Sequence, residues 1–120
     1  MQCTPQPFFQ SINDLESPRL ALGRAVLIGD AAFVARPHCG AGVAKAAGDA
    51  AALVDALTAR SGNVEQALAD YEQARLPFGR AIVAHARELG AWLQSRTRPE
   101  LATPRAAAHH TPEAAMREIA

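Results

Sequence analysis

Two short segments of the sequence combine residue types that could bind a polar ligand. A largely apolar run, residues 24–28, leads into Gly29-Asp30, and residues 40–42, Gly-Ala-Gly, lead into an alanine-rich stretch. An aspartate at the carboxyl end of a strand, where open α/β sheets bind their ligands, can accept hydrogen bonds from hydroxyl groups such as those of a sugar alcohol. The unpaired amides of a helix start stabilise negative charge by about 0.3–1 kcal/mol at exposed sites. The residues alone leave two interpretations open: a binding site, or a common turn followed by a common helix start.

The spacing of apolar residues predicts the elements that would position these groups. Residues 24–28 lack polar alternation, which is typical of a strand buried on both faces in a parallel sheet. A helix is predicted over about residues 41–59, with Lys45, Asp49 and Asp55 lying away from its apolar stripe. The stripe that we expect to pack against the sheet consists of Val43, Ala46, Ala47, Ala50, Val54 and Leu57.

Further helices are predicted in the second half of the chain. Asn63 and Gln66 have capping-box spacing at the start of one helix, and Pro77 should kink or break it because proline lacks an amide hydrogen. A helix over about residues 78–94 would follow, and a short last helix is predicted over residues 112–119. The residues expected to share a face are Val64, Leu68, Tyr71 and Arg75 in the first helix, and Phe78, Ile82, His85, Leu89 and Trp92 in the second.

The predicted fold class is α/β but mostly α, with one or two strands followed by a layer of three to four helices. A short strand is predicted at residues 8–12 and a connecting loop at residues 16–23. The chain divides into residues 1–23, a returning strand and connecting loop; residues 24–60, a strand, the Gly-Asp loop and a helix; residues 61–95, a helical layer; and residues 96–120, a loosely ordered tail with a short final helix.

Composition argues against several classes of protein. The 120 residues carry 12 basic and 12 acidic side chains, and no cluster of Lys or Arg indicates nucleic-acid binding. Cys3 and Cys39 are too few for a disulfide framework and lack metal-ligand spacing, so we predict no metal site and a reducing compartment. No signal-peptide pattern opens the sequence, and its apolar stretches fall short of the about 20 residues that span a membrane. We expect a cytoplasmic protein with neither nucleic acid nor membrane as partner.

The order and spacing of the motifs around Asp30 resemble the second FAD-contacting motif of the single-component FAD-dependent aromatic hydroxylases, the class of p-hydroxybenzoate and salicylate hydroxylases. In that pattern Gly-Arg, an apolar strand and Gly-Asp-Ala-Ala are followed by a proline three residues before Gly-x-Gly, and then by a helix containing Asp-Ala. The matches here are Gly23-Arg24, residues 26–28, residues 29–32, Pro37, Gly40, Gly42 and Asp49-Ala50. Phe33, residues 35–38 and residues 45–47 further resemble the 2,6-dihydroxypyridine 3-monooxygenase-like branch.

This resemblance implies a Rossmann-like FAD-binding domain, to which the chain would contribute one or two strands and a carboxyl-terminal helical layer. It implies that Asp30 bonds the ribityl chain of FAD and that the loop from Pro37 to Gly42 lines the isoalloxazine ring. The cofactor-binding residues implied are Gly29, Asp30, Pro37, Gly40, Ala41, Gly42 and Val43. The activity implied is hydroxylation of an aromatic or N-heteroaromatic ring with O2, with NADH or NADPH as the reductant.

The sequence also departs from the family pattern. No Gly-x-Gly-x-x-Gly fingerprint for the ADP half of FAD occurs in the 120 residues. The resemblance therefore implies a carboxyl-terminal fragment, inactive alone, whose partner is the missing amino-terminal half of a flavoprotein; a homodimer of that parent is compatible with it. Phe33 stands where many members have His, Ala44 where many have Asn, and Gly48 where an acidic residue is common.

Several side chains allow two roles. His38, the one candidate for a catalytic residue, could orient a substrate or handle a proton, or it could be an exposed loop histidine. For Lys45, a pair with Asp49 at i,i+4 is favoured over contact with the cofactor. For Arg36 a solvated side chain is favoured over contact with an anionic substrate, and Arg75 is expected to form an ion pair.

Two other functions are compatible with the sequence. The chain could belong to another flavoprotein on the same scaffold, such as a halogenase or a prenyl-lipid reductase. It could also be a non-catalytic helical interaction module whose exposed partner surface is formed by Phe78, Ile82, Leu89 and Trp92. A flavin spectrum after addition of the upstream half would separate the second possibility from the flavoproteins, and turnover products would separate the flavoproteins from one another.

Overall fold

The described part of the chain consists of short strands and two long helices. A computed structural model of the protein describes residues 5, 6, 8 and 11–95. The elements are β1 (Leu15–Glu16), β2 (Ala21–Leu22), β3 (Ala25–Val26), a 3-10 helix (Gly29–Ala31), β4 (Phe33–Val34), a second 3-10 helix (Pro37–Cys39), α1 (Gly42–Ala59) and α2 (Val64–Ser95). This mostly helical arrangement with a few strands confirms the predicted fold class. The predicted final helix and the tail at residues 96–120 lie outside the described residues.

The strands form two antiparallel pairs. β1 pairs with β4, placing Leu15 opposite Val34, and β2 pairs with β3 across a turn in which Gly23 adopts a φ of 59°. The predicted loop over residues 16–23 is therefore wrong in part, because Glu16 lies in β1 and Ala21–Leu22 form one arm of this hairpin. The strand predicted at residues 8–12 is also wrong at Phe8, Ser11 and Ile12, which have no strand structure.

Within the described residues, the apolar run before Gly29 has neither the parallel neighbours nor the double burial that its composition predicted. Only Ala25–Val26 is strand, and it pairs antiparallel with β2. Leu27 and Ile28 are 39% and 41% exposed. An apolar run indicates that a segment is buried by other residues, but it does not identify the element that buries it. Within the described residues, β2 is the one strand that pairs with β3.

Helix α1 has the predicted length but presents the opposite face to the protein. Its ends, Gly42 and Ala59, lie within one residue of the prediction. The buried side chains are Lys45 and Asp49, at 2% and 3% exposure, whereas Val43 of the predicted stripe is 86% exposed. Within the described residues the predicted stripe is therefore not the buried face. Lys45 and Asp49 can be buried because their charged groups have buried partners, which offset the cost of removing them from water.

Helix α2 runs without interruption through Pro77. The Asn63 side chain accepts a hydrogen bond from the Gln66 amide at 3.1 Å, which confirms the Asn63 half of the predicted capping box. The Gln66 side chain instead donates to Asp70 at 3.1 Å. Of the two predicted effects of Pro77, a kink or a break, the break is wrong. The carbonyl that loses its helical partner belongs to Gln73, and both Gln73 and Pro77 are exposed, so solvent is available to that carbonyl.

The core lies between α2, α1 and the short strands. Leu20, Ala32, Phe33, Tyr71 and Val83 form the buried cluster. The predicted shared face of Leu68 and Tyr71 is confirmed, but of the stripe predicted after Pro77 only Leu89 is fully buried. The residues that α2 buries are Ala67, Leu68, Tyr71, Gly79, Val83, Ala86, Leu89 and Gly90.

The hairpin is fastened to α2 by one carboxylate. Glu72 accepts hydrogen bonds from the amides of Leu20 and Ala21 at 2.5 and 2.7 Å. The bond from the Ala21 amide, aided by that of Leu20, holds the pKa of the Glu72 carboxyl below its usual value. None of the described helices is long and apolar enough to cross a membrane.

The contact between Gly79 and Phe33 gives a test of this packing. A Cβ at position 79 would lie 2.1 Å from Cδ2 of the buried Phe33 ring. Replacing Gly79 with Ala should therefore destabilise the chain by about 1–3 kcal/mol, although alanine is the better helix former by about 1 kcal/mol. Urea unfolding followed by circular dichroism measures this, with Ala81→Gly at an exposed position of α2 reporting the propensity effect alone. An increase in stability for Gly79→Ala would contradict the packing.

Candidate functional site

Gly29 makes a tight corner between the hairpin and Asp30. Ile28 is extended, with a φ of −135°, and Gly29 then turns to a φ of 58°. Left-handed values of this kind favour glycine because it lacks a Cβ. Gly29 is buried against α1, where a Cβ would lie 3.5 Å from the Cβ of Ala46, while Asp30 is exposed. The exposed Asp30 carboxylate thus lies at the surface, immediately after the buried corner at Gly29.

A buried charged cluster holds this corner. The Lys45 ammonium donates to the Gly29 carbonyl at 2.7 Å, and the Gly29 amide donates to Oδ2 of Asp49 at 3.0 Å. Asp49 also accepts a hydrogen bond from Nε of Arg75 through Oδ1 at 2.7 Å, and its Oδ2 lies 3.6 Å from Nζ of Lys45. The predicted Lys45–Asp49 pair and the ion pair of Arg75 are confirmed. Sequence spacing could not show that Lys45 and Asp49 also form hydrogen bonds with the Gly29 backbone.

The start of α1 lies next to this cluster and has no side-chain cap. Gly40 adopts a left-handed φ of 61°, and Ala41 is the N-cap residue without a capping side chain. The first helical bond runs from the Lys45 amide to the Ala41 carbonyl at 2.8 Å. The amides of Gly42 and Val43 precede that bond, so they have no partner within the helix, and both residues are exposed. These are donors that an anionic or carbonyl-bearing ligand could use.

The loop before α1 is held by ion pairs that the sequence did not reveal. Nε of Arg36 donates to both oxygens of Asp14 at 3.2 and 3.1 Å, and Arg87 of α2 donates to the same carboxylate at 3.0 Å. Arg87 also pairs with Glu16. Arg36 is therefore paired rather than merely solvated. The partners are 22 and 73 residues apart in sequence, which no local spacing could reveal.

His38 lies at the rim of a separate depression. The side chain is exposed, and the depression, of about 390 Å³, is lined by Ile12, Arg36, His38, Gly90, Leu93 and Gln94. The ring lies close to Gly90 of α2, where a Cβ would be 3.0 Å from His38 Cδ2.

The predicted cofactor-binding residues thus fall on two adjoining parts of the surface. One is the corner before β4, the other is the loop and first turn of α1, and the cluster of Lys45, Asp49 and Arg75 joins them. Of these residues the structure buries Gly29 and Ala41 and exposes Asp30, Pro37, Gly40, Gly42 and Val43.

Tyr71 links α2 to the same corner. Its hydroxyl donates to the Leu27 carbonyl at 3.1 Å, two residues before Gly29. Removal from water, together with the neighbouring Asp49 carboxylate, raises the pKa of Tyr71 from 10.0 to about 12. The ring is 1% exposed, so the contact is part of the core that supports the site.

Comparison with known proteins identifies the class of protein that carries this site. The family model described as "FAD binding domain" matches residues 12–86. The chain is 35% identical over 88 residues to 2,6-dihydroxypyridine 3-monooxygenase of Paenarthrobacter nicotinovorans, covering 73% of this chain and 22% of that protein. It is 40% identical over 81 residues to a salicylate hydroxylase of Pseudomonas putida, covering 64% and 19%.

A solved structure gives the same result. The crystal structure of pqsL, a probable FAD-dependent monooxygenase from Pseudomonas aeruginosa, superposes with a TM-score of 0.67 at 31% identity, covering 82% of this chain and 26% of that one. The chain therefore belongs to the FAD-binding-domain family, as an FAD-binding region of the flavin-dependent aromatic hydroxylase type. It spans about a fifth of the length of the curated relatives it matches, at 22% and 19%.

The residues on the surface fit a flavin. A flavin nucleotide offers a polyhydroxylated ribityl chain, and Asp30 is an exposed carboxylate that can accept from hydroxyls. Its ring has carbonyl oxygens at the pyrimidine end, and the exposed first turn of α1 offers uncapped amides. Among the described residues no group of three or more His, Cys, Asp or Glu could hold a metal ion.

Burial of the only lysine in the sequence can be tested chemically. Lys45 is 2% exposed, so an amine-acylating reagent should modify it at least about tenfold more slowly in the folded chain than in concentrated urea. Mass spectrometry measures the rate, and an added short lysine-containing peptide serves as an internal control for reagent activity. Equal rates of Lys45 modification in the two conditions would contradict the buried cluster.

The shifted pKa of Tyr71 predicts a loss of stability in alkali. The unfolded chain ionises this phenol near pH 10 but the folded chain only near pH 12, so its contribution is fully present below pH 10 and is lost as the pH rises to about 12. The free energy of unfolding, measured by urea titration at a series of pH values, should fall over this window. Tyr71→Phe should remove that part of the pH dependence, and an unchanged slope in the variant would show that Tyr71 is not the group responsible.

Proposed function

We propose that this chain binds the ribityl and isoalloxazine parts of FAD in a monooxygenase that hydroxylates an aromatic or N-heteroaromatic ring. The observation that carries the proposal is that the chain presents both an exposed carboxylate, at Asp30, and an exposed helix start without a side-chain cap, at Gly42 and Val43. Both belong to the segment matched by the FAD-binding family model.

In this proposal Asp30 accepts hydrogen bonds from the ribityl hydroxyls. Gly29 allows this because its left-handed corner turns the chain outward at the edge of the buried cluster. The loop from Pro37 to Gly42 lines one side of the ring. Gly40 contributes the second left-handed turn, at a φ of 61° that favours glycine, directly before the start of α1.

The amides of Gly42 and Val43 face the pyrimidine end of the ring. A reduced flavin carries negative charge there, and a helix start stabilises negative charge through fixed dipoles that need no reorganisation. When bound, the flavin would supply the redox and oxygen chemistry of the hydroxylation. His38, exposed at the rim of its depression, is a candidate for orienting the substrate or moving a proton.

The proposed reductant is NADH or NADPH, and the proposed substrate is a small electron-rich ring. The relatives named 2,6-dihydroxypyridine 3-monooxygenase and salicylate hydroxylase act, by their names, on small hydroxylated rings, which supports this class of substrate. The proposed compartment of the reaction is the cytoplasm, where NADH and NADPH are available to the enzyme.

We further propose that the chain is inactive alone and works with the polypeptide that supplies the rest of the flavoprotein. Leu27 and Ile28 beside the corner, and Val43, Val54 and Leu57 on the outer face of α1, are each at least 39% exposed. An apolar surface of this kind is typical of a protein interface. In this proposal the whole chain forms one segment of a larger flavoprotein, which could be a homodimer. That segment consists of the four parts predicted from the sequence, at residues 1–23, 24–60, 61–95 and 96–120.

The alternative of a non-catalytic helical module is not supported by the packing of α2. Leu89 of its proposed partner surface is buried at 8% exposure, and Ile82 and Trp92 are half-buried. These residues therefore do not form one exposed face.

Ligand titration by NMR tests the proposed site. Riboflavin, which carries the ribityl chain and ring but no ADP, should shift the amide signals of Asp30, Gly42 and Val43. ADP should leave them unchanged, and FAD should bind this chain no more tightly than riboflavin does. Riboflavin shifts confined to other residues, or no shifts, would contradict the proposed site. NAD(P)H-dependent hydroxylation by the purified chain with added FAD would contradict the need for a further polypeptide.

A charge-removing variant tests the role of Asp30. Asp30→Ala should weaken riboflavin binding about tenfold or more, because a hydrogen bond to a charged group contributes about 1.5–3 kcal/mol. Asp55→Ala removes an exposed carboxylate from α1 and is the matched control, for which we expect unchanged binding. Equal affinities of the two variants, measured by flavin fluorescence, would remove Asp30 from the site.

A further inference from the structure

Lys45 is buried in an unusual place for a lysine. It lies in the first turns of a helix whose start is exposed, yet only 2% of its surface is accessible. Lysine side chains near a surface normally keep the ammonium group in water. Here the ammonium donates to the Gly29 carbonyl at 2.7 Å.

Neutralising Asp49 does not by itself explain this burial. Arg75 already pairs with Asp49 at 2.7 Å, which is shorter than the 3.6 Å between Lys45 and the same carboxylate. What Lys45 adds to the cluster is the hydrogen bond to Gly29. That bond, rather than the ion pair, is the specific contribution of the side chain.

Lys45 and Asp49 together fix both peptide groups that flank the Gly29 Cα. Asp49 accepts from the amide on one side at 3.0 Å, and Lys45 donates to the carbonyl on the other. The Gly29 carbonyl lies in the same rigid peptide plane as the Asp30 nitrogen. The same carbonyl also accepts the Ala32 amide at 3.1 Å, so the Lys45 ammonium and the 3-10 turn together hold the peptide from which Asp30 leaves the corner.

We propose that Lys45 is a positioning residue for the flavin site, holding the Asp30 carboxylate at a fixed place relative to the first turn of α1. Lys45 lies three residues after Gly42, about one helical turn, so one side chain connects the two parts of the surface that would bind the ligand. A ligand that bridges both parts then meets groups that are already in place, which lowers the ordering cost of binding. This inference rests on the proposed function.

A double-mutant cycle in the 120-residue chain, with riboflavin as the probe, tests it. Lys45→Met keeps the length of the side chain but removes the donor, and we expect riboflavin affinity to fall roughly threefold to tenfold. In the Asp30→Ala background the same change should have almost no further effect, because Lys45 acts through Asp30. Arg80→Met, which removes an exposed positive charge from α2, is the control and should bind riboflavin as the unchanged chain does.

A second measurement needs no variant and so does not depend on whether Lys45→Met folds. With 15N-labelled lysine and glycine labelled with 13C at its carbonyl carbon, the chain gives a single ammonium signal, because Lys45 is its only lysine. We expect slowly exchanging ammonium protons, a scalar coupling across the hydrogen bond to the Gly29 carbonyl carbon, and a shift of the signal on addition of riboflavin. Fast exchange, or a signal that riboflavin does not move, would overturn the proposal.

The outcomes separate this inference from the proposed function. If the unchanged chain binds riboflavin at Asp30 and Gly42 but Lys45→Met binds equally well, or the two penalties add, the positioning role is wrong and the proposed function stands. If the unchanged chain does not bind riboflavin at all, both proposals are wrong. A non-additive loss of affinity supports both.

Discussion

The rest of the structure depends on one buried charged interaction, the cluster in which Lys45 and Asp49 bind the two sides of the Gly29 backbone while Arg75 pairs with Asp49. Buried charges are costly unless paired and hydrogen-bonded. These partners come from the corner after the hairpin, from α1 and from α2, so the cluster can be satisfied only when all three elements are in place. It therefore favours one arrangement of the elements over others that would bury similar apolar area.

The supporting contacts are arranged around that cluster. The Tyr71 hydroxyl donates to the Leu27 carbonyl just before the corner. The next residue of α2, Glu72, accepts a hydrogen bond from the hairpin at the Ala21 amide. The Asp14–Arg36 pair holds the loop that leads into α1. The exposed groups that could bind a flavin are thus carried by buried, hydrogen-bonded backbone, which keeps a binding site preorganised.

Local features of the sequence predicted local features of the structure. Gly29, Asp30 and the Gly40–Gly42 pattern indicated a corner and a helix start, and Asn63 caps α2 as its spacing indicated. The face that α1 buries could not be predicted from apolar periodicity, because the inward residues Lys45 and Asp49 are charged and their partners are distant in sequence. The continuity of α2 through Pro77 and the packing of Phe33 on Gly79 also depend on tertiary contacts. Phe33 stands where many relatives are expected to have His, and its burial at 2% shows that here the position belongs to the core.

If Asp30 and the start of α1 bind opposite parts of one flavin, a crystal structure of the chain grown with FAD should show both contacts at once. We expect an Asp30 carboxylate oxygen within hydrogen-bonding distance of a ribityl hydroxyl, and the amides of Gly42 and Val43 at the pyrimidine end of the same ring. A flavin bound elsewhere on the chain, with Asp30 in contact only with water, would show that Asp30 and the start of α1 do not form the flavin site.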